Sequence, residues 1–331
     1  MVEHWLGIDI GGTKCAAALG DANGRIVAKR SVSTQQVSTQ QGNAGGWRST
    51  VDELVAAARA VLAANGIERP RAIGVSCGSP LDTERGIIEE PANLPGWKGV
   101  PIADILRREV ADVPTFLEND ANAGALAEFA LGAGRAHACR HLVFLTFGTG
   151  LGAGLILDGR LYRGASGLAG EVGHVRLAPY GPAGCGKPGS FEGFCSGGGI
   201  AQIAHVERRA WFDETMLPRD GIETRDVGAA AERGDRLALR ILEVSGEYLG
   251  RGLAILLDVL NPDLVVLGSV FARCERFLRP AMERTLRIEA RRETLADCRI
   301  VPAVLAEDVG HYAALAIAYD RSGALDRVRG A

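Results

Sequence analysis

The sequence predicts an α/β protein built from two related lobes that grip a ligand between them. Three observations carry this expectation. Strand-like and helix-like segments alternate along the chain, as in a sheet covered by helices. A glycine-turn hairpin occurs twice, with Gly11 aligning on Gly148 and Asp21 on Asp158 at one constant offset. The chain has 331 residues, more than one hydrophobic core usually spans.

In order, residues 6–10 are a short apolar strand, Gly11-Gly12 a turn, 15–19 a second strand and 21–24 a hairpin turn before Ile26-Val27. Residues 34–46, rich in Gln, Ser and Gly, read as a mobile surface loop. Thr50 and Glu53 form a capping box for a helix whose stripe is Val51, Leu54, Val55, Ala58, Val61 and Leu62, stopping at Gly66. Residues 72–76 read as strand, Leu117-Glu118 ends another, and 121–129 are helical. The second hairpin follows: strand 143–147, the turn Gly148-Thr149-Gly150, strand 153–157, then Asp158-Gly159. A long helix over 237–260 is ended by Asn261-Pro262, and a buried strand over 264–267 leads into a Gly268-Ser269 turn. A last helix, 311–319, is placed to pack back on the first lobe.

Composition excludes several classes. Hydrophobic residues at 47% and charged residues at 23% are ordinary for a globular protein. A net charge of -3 without long like-charge runs gives no reason to expect nucleic acid or a membrane surface as partner. Neither a signal-peptide pattern nor an apolar run of spanning length, about 18 residues, is found. The seven cysteines are scattered and never spaced as CxxC, so a disulfide framework is not expected and a reducing cytoplasm is. Forty-four glycines against nine Phe, five Tyr and four Trp favour tight loops handling small polar ligands.

The chemistry-bearing motifs are the two turns. Asp9-Ile10-Gly11-Gly12-Thr13-Lys14 sets a carboxylate at a strand end beside residues lacking Cβ, so backbone N-H groups can approach phosphate oxygens and Asp9 can hold Mg²⁺ through water. Residues 146–152 (Thr-Phe-Gly-Thr-Gly-Leu-Gly) repeat the arrangement without the carboxylate, leaving Gly148, Thr149, Gly150 and Gly152 to cradle phosphate. Together they point to a nucleotide site.

Several ordered motifs then make the chain resemble bacterial sugar kinases of the ROK family. They are residues 6–14, Pro91 to Trp97 (Pro-Ala-Asn-Leu-Pro-Gly-Trp), Glu118-Asn-Asp-Ala-Asn122, 148–152, Gly170-Glu-Val-Gly-His174 and Val265-Val-Leu-Gly268. The resemblance implies the two-lobed actin-like ATPase fold, a duplicated ribonuclease H-like arrangement with a cleft between lobes. On that basis residues 1–117 with 305–331 are expected as the N-terminal lobe and 118–304 as the C-terminal lobe. It implies ATP with Mg²⁺ as the phosphoryl donor and a hexose or N-acetylhexosamine as acceptor, since kinases of glucose, fructose, N-acetylglucosamine, N-acetylmannosamine and allose share these motifs. Asp120 is implied as the base. Its neighbour Asn119, with Asn93, Glu171, His174 and Glu192, is implied to bind sugar, and Ser79 is a weaker candidate. Gly268 is implied at the nucleotide. A homodimer is expected, with residues 194–211 contributing to its contact.

Relatives of this type carry a His followed by CxCGxxGC, a tetrahedral zinc set. Here His174 and Cys185 remain, while Ala183 and Ser190 stand at two of the thiolate positions. Structural zinc is therefore not expected. Cys195 lies near in sequence but at a different offset, and it reads as a buried thiol. The first strand begins by Leu6, so no DNA-binding module is expected ahead of it. The main rival to a kinase is a non-catalytic sugar sensor on the same fold; an actin-like or chaperone-like ATPase would have no use for the 91–97 and 170–174 segments.

Overall fold

The computed structural model describes residues 3–34, 46–305 and 308–331. Most of the predicted 34–46 loop, residues 35–45, lies outside the described residues. The chain divides into two compact units: Met1–Ala136 with Leu305–Ala331, and His137–Val304.

Unit 1 runs β1 (His4–Ile10), β2 (Lys14–Asp21), β3 (Ile26–Ser33), α1 (Gly46–Ala64), β4 (Ile73–Cys77), the short strands β5 (Leu81–Asp82), β6 (Ile87–Glu89) and β7 (Lys98–Val100), then α2 (Ile102–Glu109), β8 (Thr115–Asn119), α3 (Asp120–Ala130) and α4 (Ala133–Ala136). Its main sheet has the order β3-β2-β1-β4-β8. β1 to β3 form an antiparallel meander, while β4 and β8 add in parallel. The expected boundary at 117/118 differs from this division: β8 pairs with β4 from Ile73↔Thr115 to Cys77↔Asn119, and the helix that follows β8 packs against the C-terminal helices, so residues 118–136 group with unit 1. The core gathers Leu6, Ile8, Ile10, Val51, Leu54, Ile73, Val75, Ile102 and Leu106. α1 begins at Gly46, so Thr50 is a fully buried residue of the helix rather than its cap.

Unit 2 runs β9 (Leu142–Leu145), β10 (Ala153–Leu157), β11 (Arg160–Leu161), a 3₁₀ turn (Val172–His174), β12 (Ala183–Gly184), β13 (Lys187–Pro188), α5 (Phe191–Cys195), α6 (Gly197–Ala210), α7 (Thr224–Glu232), α8 (Arg236–Leu260), β14 (Leu264–Leu267), α9 (Ser269–Glu289), α10 (Arg292–Asp297) and β15 (Arg299–Pro302). Its sheet order, β11-β10-β9-β14-β15, repeats that of unit 1, with an antiparallel hairpin followed by two parallel additions. The mixed α/β class and the duplication are thus both present in the topology. β9 stops two residues before the expected end because Phe147, fully buried, takes a left-handed backbone at φ 41°. α8 starts on Asp235 and ends on Asn261, whose φ of 44° provides the left-handed C-cap.

The chain returns to unit 1 as α11 (Val309–Arg321) and α12 (Leu325–Gly330). α11 is alanine-rich and lies directly on the sheet: a Cβ at Gly74 would stand 2.2 Å from the Ala314 carbonyl oxygen. Small residues on both faces permit that approach.

Candidate active site

In unit 1 the candidate residues collect at the carboxyl ends of parallel strands, where open α/β sheets receive ligands. Register pairs Asp9 with Ser76, Ser76 with Glu118, and Cys77 with Asn119. After Ile10 the chain must reverse into β2, and the Gly11 N-H closes that turn on the Lys14 carbonyl at 3.1 Å. Thr34 fastens it from the side, its hydroxyl donating to the Gly11 carbonyl at 2.6 Å. At Gly12 a Cβ would lie 2.6 Å from the Asn93 carbonyl oxygen, so the missing side chain admits the 91–97 loop. That loop is anchored by Leu94 and Trp97, each 1% exposed, which leaves Asn93 presented between Gly12 and Gly78.

Asp9 and Asp120 are close enough to perturb each other. Burial pushes the Asp9 carboxyl up to about 6, the Asp120 charge pushes in the same direction, and the Ser76 hydroxyl and Lys14 oppose both. Gly310, in the first turn of α11, lies against the same carboxylate: a Cβ there would be 2.2 Å from Oδ2. Asn119 caps α3, its Oδ1 accepting from the N-H of Ala121 at 2.9 Å and of Asn122 at 3.4 Å, while its Nδ2 donates to the Ser79 hydroxyl at 2.9 Å. The capping role that Asp120 could have filled therefore belongs to Asn119. Asp120 accepts from Ala121 N-H through Oδ1 at 2.8 Å. Beneath them Glu118, 4% exposed, accepts from the Asn119 N-H and from Asn122 Nδ2, fixing the strand-to-helix corner.

In unit 2 the second glycine turn is held internally. Gly148 N-H donates to the Gly150 carbonyl, Leu151 N-H to Glu192 Oε2 and Gly152 N-H to the Thr146 hydroxyl, each at 3.0 Å. The Gly148 and Thr149 carbonyls accept from the N-H groups of Gly197 and Gly198 at the start of α6. Among the described residues, the exposed Thr149 and Gly150 amides donate to no backbone acceptor. Gly268 backs the turn: its N-H donates to Leu145, and a Cβ would stand 2.1 Å from the Thr146 carbonyl. Glu171 and His174 form a half-exposed pair at 3.9 Å. Cys185 donates its thiol to Glu192 Oε1 at 3.1 Å, and burial followed by that carboxylate pushes the thiol up to about 12. Cys195 is fully buried, its thiol directed at the Ser245 carbonyl. All seven cysteines are free thiols.

Sequence reasoning did not find Ser76 or Gly310. Ser76 and Gly310 meet Asp9 only through pairing and helix return, and no local pattern marks them.

Among the described residues no helix is long and apolar enough to cross a membrane. A family model described as "ROK family" matches residues 5–321. The glucokinase of Halalkalibacterium halodurans is 34% identical over 279 residues, 81% of each chain. The N-acetylmannosamine kinase of Escherichia coli O139:H28 is 34% identical over 275 residues, 82% of this chain and 85% of the relative. The crystal structure of a ROK family glucokinase from Streptomyces griseus in complex with glucose and AMPPNP superimposes with a TM-score of 0.73 and 29% identity, over 96% of this chain and 99% of the other.

Proposed function

The chain belongs to the ROK family, and on that premise we propose that it is an ATP-dependent sugar kinase that phosphorylates the 6-hydroxyl of a hexose or N-acetylhexosamine, with Asp120 as base. The observation that supports this most directly is the carboxylate pair Asp9 and Asp120 beside the Gly11-Gly12 turn, at the carboxyl edge of a parallel sheet. A named glucokinase and a named N-acetylmannosamine kinase at equal identity support the breadth of the substrate class.

In this reading Asn119, Ser79 and Asn93 orient the sugar from unit 1, and the linked Asn119 and Ser79 side chains offer hydroxyls both donors and acceptors. Glu171, His174 and Glu192, on unit 2, are residue types that also pair with sugar hydroxyls. The sugar oxygen forms a bond to the γ-phosphorus, the bond from that phosphorus to the β,γ-bridging oxygen breaks, and ADP leaves. Asp120 accepts the hydroxyl proton. A carboxylate is a weak base for a free alcohol, but in a loose phosphoryl-transfer transition state the proton moves late, so orientation is its larger contribution. On unit 2, the exposed Thr149 and Gly150 amides suit phosphate oxygens.

The residues also fit a divalent cation. Burial and the charge of Asp120 raise Asp9 to about 6, so a nearby cation would relieve a carboxylate otherwise strained by its surroundings. Asp9 would hold Mg²⁺, which supplies neutralisation of phosphate charge when bound with ATP. The test is Asp120→Asn. Sugar binding by calorimetry should persist while turnover falls by about 100-fold or more, the usual contribution of a general base; undiminished turnover would remove Asp120 from this role.

A further inference from the structure

We propose that the 183–190 hairpin is held without metal, by a polar clamp in which Gln202, Ser190 and Glu192 each grip one of three consecutive residues. Gln202 takes both sides of Ala183: its Oε1 accepts from the Ala183 N-H at 3.0 Å and its Nε2 donates to the Ala183 carbonyl at 2.8 Å. Ser190 takes both sides of Gly184, accepting from its N-H at 3.1 Å and donating to its carbonyl at 3.2 Å. The same hydroxyl accepts from Gly193 N-H at the start of α5. One donor and two lone pairs are then fully used on a residue with 0% exposure. Glu192 Oε1 accepts from both the N-H and the thiol of Cys185, at 2.8 and 3.1 Å.

These residues do not fit the zinc set that the family pattern implies. Ala183 offers no donor atom, the Ser190 hydroxyl is consumed by backbone groups, and Cys185 is engaged as a thiol donor where a metal would need a thiolate. Among the described residues no group of three His, Cys, Asp or Glu could hold a metal ion. The clamp also reaches the second glycine turn. Glu192 Oε2 accepts from Leu151 N-H, and α6, which carries Gln202, donates its first amides to Gly148 and Thr149. One helix and one carboxylate therefore fix the hairpin and the turn together, a task that needs no ion. The clamp is independent of which reaction the protein performs.

Hydrogen exchange on the full chain, with metal analysis, tests this. Protein grown with added zinc should carry no stoichiometric zinc after gel filtration, and a chelator should leave exchange over 183–190 unchanged. Gln202→Ala, at an exposed position, should accelerate exchange at Ala183 about tenfold, as expected for two lost hydrogen bonds, while β14 keeps its protection. One zinc per chain whose removal speeds exchange over 183–190 would overturn the proposal. So would unaltered exchange at 183–185 in both Gln202→Ala and Ser190→Ala.

Discussion

Asn119 supplies the cap of α3, while Asp120 accepts the Ala121 N-H through Oδ1, an acceptor that an amide side chain retains. Removing its charge should cost the fold little: Asp120→Asn is expected to unfold within a few degrees of the parent in a thermal scan, so that its loss of turnover reports chemistry. Gly12 makes a complementary case. Alanine there drives a methyl to 2.6 Å from the Asn93 backbone, which cannot rotate away, so the 91–97 loop must move. Gly12→Ala should raise the sugar KM by about tenfold or more, equivalent to ~1.4 kcal/mol of lost binding, measured by steady-state kinetics; an unchanged KM would separate Asn93 from the sugar. Asp9 and the two glycine turns stand out in sequence because each lies in a short local run, whereas Asp120 was singled out through the family resemblance of residues 118–122. Gln202 was not, since nothing around it in sequence hints at the backbone of Ala183.

Elements were legible where one signal dominated. β10 and β14 match the apolar runs residue for residue, and α8 lies within one residue of its expected span because Asp235 and Asn261 bound it. α9 was missed: Pro280 sits inside it and its exposed faces are rich in arginine, so the buried stripe of Phe271, Cys274, Leu278, Met282 and Leu286 is masked by breaker and charge. α8 also yields a prediction. Desolvation would raise the Asp235 carboxyl, but the N-H of Ala238 and of Met216 and the Thr215 hydroxyl outweigh it and hold the group below its usual value. A carboxylate whose folded value is depressed contributes stability above the unfolded value of 3.8, and loses it as pH falls through that value toward the folded one. Asp235→Ala should therefore cost about 1–2 kcal/mol at neutral pH, with the gap to the parent shrinking in denaturant titrations below about pH 4. A gap that is constant with pH would assign the loss to packing instead.

At the scale of the molecule, the two sheets repeat one strand order, and each unit holds its own core. That duplication was readable from two glycine turns because each turn reverses the chain between the two antiparallel strands that open its sheet. The division after residue 136 is not marked by any composition shift, since it depends on β8 pairing with β4 and on α3 packing against α11 and α12. The kinase proposal stands or falls with the whole molecule. The most direct measurement is ADP release from Mg-ATP across a panel of hexoses and N-acetylhexosamines, against a blank without sugar. The account predicts that at least one sugar raises release well above the blank and that Asp120→Asn abolishes the increase. Release that no sugar stimulates, from folded protein that binds both ATP and a sugar by calorimetry, would contradict it and favour a sugar sensor.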